Sequence, residues 1–114
     1  MEPINPSAVQ KKLDEFKGKD LYLHLETTNG AYASHKDQTV MTVGAYIRNG
    51  LIRYKHAKIT GNGPYRIGMK MDYGWVYAEG LTHFTVDEKN RLLLAGHDSN
   101  GKLAVACQIS TEPF

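Results

Sequence analysis

The stretch LYLHLETTNG, residues 21–30, decides the fold. Leu21, Leu23 and Leu25 alternate with Tyr22, His24 and Glu26, a period of two that puts the leucines on one face of a strand. Asn29-Gly30 follows, a pair that tolerates positive φ and so closes a tight hairpin. The same pair recurs at 49–50, 62–63 and 100–101, each between β-patterned runs, and Asp87-Glu88-Lys89-Asn90 reads as one more turn. These turns predict strands near 20–27, 39–48, 51–60, 64–72, 74–80, 82–87, 91–97 and 102–109. Clear alternation in Met41, Val43, Ala45 and Ile47, in Tyr65, Ile67, Met69 and Met71, and in Leu103, Val105, Cys107 and Ile109 gives each run one buried face.

Before the first strand the period changes. Asn5 can cap a helix, Pro6 suits its first position, and Val9, Leu13 and Phe16 form an apolar stripe that Gly18 ends. The expectation is a helix over 6–17, with Lys11, Lys12, Asp14 and Glu15 facing water. The fold class is therefore all-β, mostly antiparallel, with about eight strands and one N-terminal α-helix. A small barrel or a bent two-layer sandwich would protect strand edges, and the barrel is preferred because Gly44, Gly68, Gly80 and Gly96 can supply its corners.

With 114 residues, 41% hydrophobic and 23% charged, the chain has the size and composition of one folded domain, 1–114. A formal charge of +2 provides no broad field for phosphate backbones or anionic membranes. No run approaches the roughly 18 apolar residues of a membrane span. MEPINPSAVQ lacks a basic segment followed by an apolar one, and Cys107 is the one cysteine, so a cytoplasmic location is the expectation.

Three segments gather chemistry-bearing side chains. In 24–35, His24 and Glu26 share a strand side, with Tyr32 and His35 in the loop that follows. With His83 as a third ligand, His24 and Glu26 are the candidate metal set, although no ligand spacing of known specificity is present. The competing reading leaves His24 and Glu26 on a solvated or hydrogen-bonded strand face. In 75–84, Trp75, Tyr77 and Glu79 share a face and His83 follows Gly80; these groups can line a polar pocket or pack as core. In 95–101, His97 and Asp98 are neighbours, but neighbours point to opposite faces and Asp98 reads as turn chemistry. Cys107 follows an apolar face and reads as a small hydrophobe. Candidate ligand-binding residues are thus His24, Glu26, Tyr32, His35, Tyr77, Glu79, His83 and His97. No motif implies a particular cofactor. Arg53, Lys55, Lys58, Arg66 and Lys70, interleaved with Tyr54 and Tyr65, outline a nucleic-acid surface that the small net charge argues against.

HLETTNGAYASH, the Tyr46-Ile47-Arg48-Asn49 run, ITGNGPYRIG, GWVYAEGLTHF, LLLAGH and LAVACQISTEPF together resemble the YojF family of Bacillus and related Firmicutes, over nearly the whole chain. The resemblance implies a bacterial family with no established activity and no catalytic residues to carry over. It also implies a genomic setting beside a zinc-dependent LmbE-like deacetylase of bacillithiol metabolism, hence an accessory partner role with such an enzyme. The leading expectation is a non-catalytic binding or accessory module that self-associates as a homodimer. The alternative is a small metal-assisted enzyme using these His and Glu residues, and single-stranded nucleic-acid binding comes after both.

Overall fold

The computed structural model describes residues 1–27 and 44–114. A short β1 (Glu2–Pro3) precedes α1 (Pro6–Phe16) and is followed by β2 (Leu21–Thr27), β3 (Ala45–Ile52), β4 (His56–Thr60), β5 (Tyr65–Lys70), β6 (Trp75–Leu81), β7 (His83–Val86), β8 (Leu92–His97) and β9 (Leu103–Ser110). Every pairing among the described residues is antiparallel. Two separate sheets result among the described residues, one of six strands in the order β1-β7-β8-β9-β2-β3 and one of three in the order β4-β5-β6. The all-β class with a leading helix holds. The preferred closed barrel does not: the chain leaves the small sheet after Leu81 and enters the large one at His83, so the sheets face each other without joining.

One apolar cluster fills the space between them. Ile67 and Met69 of the small sheet, Leu21, Leu23, Leu92, Leu94, Cys107 and Ile109 of the large one, and Val9, Leu13 and Phe16 of α1 are fully buried. Asn5 caps α1 by accepting a hydrogen bond from the Ala8 amide at 3.2 Å. Tyr54, buried in the connection between β3 and β4, donates its hydroxyl to the Leu13 carbonyl and ties that connection to α1. Lys12 departs from its expected place in water. It is buried, with its ammonium on Glu15 at 3.1 Å, on the Asn90 side-chain oxygen, and 4.6 Å from the Phe16 ring centroid, so its charge is paired while its stem packs.

Asn49-Gly50 is not a turn. Asn49 takes φ 54° inside β3, beside a register shift opposite Leu23 and Leu25, and the strand runs on through a bulge. Ala45 and Ile47, expected to be buried, are exposed on β3, which ends the sheet among the described residues. Met41, Val43 and Asn29-Gly30 lie outside the described residues. The turns at 62–63, 87–90 and 100–101 are where the sequence puts them. Asp87 anchors its turn by accepting from the Lys89 and Arg91 amides, each at 3.0 Å, and from Arg91 Nε at 2.6 Å.

Candidate functional site

The outer face of the small sheet is a three-by-three grid of side chains. His56, Lys58 and Thr60 come from β4, Arg66, Gly68 and Lys70 from β5, and Trp75, Tyr77 and Glu79 from β6. Alternation buries Ala57, Ile59, Ile67, Met69 and Ala78 on the inner face and leaves this set outside. Register aligns His56, Lys70 and Trp75 in one row and Lys58, Gly68 and Tyr77 in the next. Arg66 stands opposite Thr60 and reaches Glu79 at 3.3 Å.

Trp75 and Tyr77 remain 47% and 45% exposed, which decides against core packing. Their rings are stacked, 5.4 Å between centroids and 6° from parallel. The Arg66 guanidinium lies 4.1 Å from the Tyr77 centroid and the Lys70 ammonium 5.6 Å from that of Trp75. Cation, ring, ring and cation thus form one row along the sheet. Gly68 makes the row possible, since a Cβ there would stand 2.9 Å from Tyr77 Cε1. Beside the rings runs a groove of about 260 Å³ lined by His56, Lys58, Thr60, Arg66, Gly68, Trp75 and Tyr77. Lys58 has no ion-pair partner among the described residues, and Glu79 is the acidic group of the grid. A larger depression of about 750 Å³ along α1 is open surface carrying both charge signs, from Lys11, Asp14 and Glu15.

His24 lies elsewhere. It is 7% exposed on β2, covered by the Tyr46 ring edge-on at 5.4 Å and the Phe114 ring at 6.2 Å. Its Nε2 faces Glu26 at 3.3 Å, and its Nδ1 has no hydrogen-bond partner among the described residues. Of the solvated or hydrogen-bonded face expected for this pair, the hydrogen-bonded form holds through the Nε2–Glu26 contact, while two aromatic rings close His24 off from solvent. His83 does not join this pair: β9 and β8 separate β2 from β7, three strand spacings or about 14 Å.

His83 meets His97 instead. Their Nδ1 atoms are 3.2 Å apart, the rings are perpendicular with centroids at 4.9 Å, and Thr82 Oγ1 lies 2.7 Å from the first nitrogen and 3.4 Å from the second. Sequence reasoning missed this meeting, although the turn at 87–90 fixes it. That turn pairs His83 with Ala95, which puts His97 on the adjacent diagonal. Asp98 serves its turn, accepting from the Asn100 and Lys102 amides at 2.9 and 3.0 Å. No group of three or more His, Cys, Asp or Glu side chains converges among the described residues. Tyr32 and His35 lie outside them. Of the nucleic-acid set, Tyr54 is buried, Arg53 pairs with Asp20 at 2.7 Å, and Lys55 reaches Asp72 at 3.9 Å, while Lys58, Arg66 and Lys70 are the members on the grid. Cys107 is buried, and desolvation pushes its thiol up to about 12, so it stays protonated and packs as a hydrophobe. No described helix is long and apolar enough to cross a membrane.

Known proteins match this chain along its length. The uncharacterised protein YojF of Bacillus subtilis (strain 168) is 54% identical over 114 residues, covering 100% of this chain and 98% of that protein. The crystal structure of the B. subtilis YojF protein superposes with a TM-score of 0.84 at 52% identity, covering 99% of this chain and 95% of that one. A family model described as a protein of unknown function, DUF1806, matches residues 3–114. With a match of that extent, the chain belongs to the DUF1806 family of proteins of unknown function.

Proposed function

We infer that the protein is a non-catalytic binding module that takes a small anionic ligand, phosphorylated or carboxylated, in the groove between β4 and β6. The observation that carries this reading is the cation-ring-ring-cation row of Arg66, Tyr77, Trp75 and Lys70 beside Lys58, which has no ion-pair partner among the described residues. The faces of both rings are taken up within the row, so a ligand meets ring edges, which carry partial positive charge, together with two or three cations. An anion is the complement of that surface. The groove's size suits a phosphate or carboxylate group with a few attached atoms, below the usual range of about 300–1,000 Å³ for drug-sized ligands.

Trp75 is the chain's one tryptophan, which makes its emission a local reporter. Titration with inorganic pyrophosphate and with ADP is expected to change that emission saturably, with affinity falling as salt rises. Arg66→Ala is expected to weaken binding roughly tenfold, the loss that follows from one charge-assisted hydrogen bond. Emission that does not respond to either probe, or affinity unchanged in Arg66→Ala, would reject the reading.

Self-association is a second proposal, supported by Tyr46, Ile47 and Leu51, which are 60%, 41% and 73% exposed on β3, the last strand of its sheet among the described residues. Sedimentation equilibrium at micromolar concentration decides it: a monomer mass removes it. The LmbE-like deacetylase partner rests on the family resemblance, and co-purification of the two proteins, or its failure, is the test.

A further inference from the structure

We propose that His83, His97 and Thr82 form a binding site for a divalent transition-metal cation of the zinc, copper or nickel class. The site lies at the crossing between the sheets, apart from the anion groove and independent of it. Its three polar atoms form a triangle with sides of 2.7, 3.2 and 3.4 Å.

Three two-centre hydrogen bonds cannot close that triangle. An imidazole nitrogen either donates a hydrogen bond or accepts one, never both, so a cycle of three hydrogen bonds through two imidazole nitrogens is impossible. With each proton in one two-centre hydrogen bond, at least one of the three close contacts is left without a proton of its own. A cation has no such restriction. The sides circumscribe a circle of radius about 1.8 Å, shorter than a zinc–nitrogen bond of about 2.0–2.1 Å, so a point just above the plane is at bonding distance from all three atoms. The 3.2 Å edge between the nitrogens also matches the ligand separation of a tetrahedral ion with bonds of that length.

The surroundings fit the same occupant. Thr82 Oγ1 accepts from the His97 amide at 3.1 Å and lies 3.3 Å from the Ala95 carbonyl, to which it can donate; one lone pair then remains for a metal. The Thr82 amide also donates to the Ala95 carbonyl at 2.9 Å, which fixes the backbone under the hydroxyl. Both rings are half-buried, so their entropy cost on binding is partly met already. Two imidazoles select borderline transition metals over calcium or magnesium, and with only a hydroxyl as third ligand the ion keeps a position open to solvent.

The test uses full-length, tag-free protein, zinc chloride in competition with a chromophoric chelator, and long-range proton–nitrogen NMR of the histidine rings. Expected are one equivalent of zinc and movement of the Nδ1 resonances of both His83 and His97 to the metal-bound range. His97→Gln is expected to weaken binding at least tenfold, and His24→Gln to leave it unchanged. Zinc that leaves both Nδ1 resonances in place, or that binds His97→Gln as tightly, overturns the proposal. Should His97→Gln not fold, the wild-type spectrum decides alone.

Discussion

Gly96 on β8 and Gly80 on β6 touch across the two sheets: a Cβ on Gly96 would fall 2.1 Å from the Gly80 carbonyl oxygen and 2.4 Å from Val105 Cγ1. The contact lets the sheets approach closely where the chain passes from one to the other, next to Thr82 and His97. Gly96→Ala therefore has no room, because the nearest obstacle is backbone. Chemical denaturation is expected to show a loss of about 1–3 kcal/mol, the usual cost of overpacking, and a loss below 0.5 kcal/mol would mean that the sheets can separate there.

His24 tests whether a buried histidine serves the fold or a ligand. Its Nδ1 is buried without a partner among the described residues, and such a group costs about 1–3 kcal/mol. His24→Leu removes that atom and fills similar space under the Tyr46 and Phe114 rings. The expected outcome is stability unchanged or raised in a urea titration. A fall of more than about 2 kcal/mol would show that the Nε2 contact with Glu26 outweighs the orphaned nitrogen.

Alkali should destabilise the fold through Cys107. Desolvation raises its thiol from 9.0 to about 12 in the folded chain. Because the folded value is the higher one, this contribution is complete below pH 9 and is lost as pH rises toward 12, where the unfolded chain sheds its proton first. Burial, with Asp14 adding to it, likewise raises the Tyr54 hydroxyl above its ordinary value and acts in the same direction above pH 10. Cys107→Val is expected to flatten the fall in stability between pH 9 and 11 relative to wild type, by up to about 1.4 kcal/mol per pH unit. Equal slopes in the two proteins would contradict this.

The helix and most strands were legible because period and turn chemistry are local. Val9, Leu13 and Phe16 point where their spacing says, and Asp87 and Asn100-Gly101 turn the chain where expected. Asn49-Gly50 misled because positive φ serves a bulge as well as a hairpin, and only the partner strand decides between them. Glycines in strands suggested barrel corners, whereas Gly96 serves inter-sheet contact and Gly68 the ring row. Tyr77 and Glu79 were legible as one face. That Trp75 and Tyr77 face solvent was not, because aromatic strand residues read equally well as core. The His83–His97 meeting depends on hairpin register, which was implicit in the turn at 87–90.

The most direct measurement is a two-dimensional amide NMR titration of the isotopically labelled protein with ADP. The groove reading expects saturable shifts concentrated on His56, Lys58, Arg66, Gly68, Lys70, Trp75 and Tyr77, and their disappearance in a Lys58→Ala, Arg66→Ala double variant that retains the wild-type spectrum elsewhere. Shifts that instead gather around His24 and Glu26, or persist undiminished in the double variant, would contradict it.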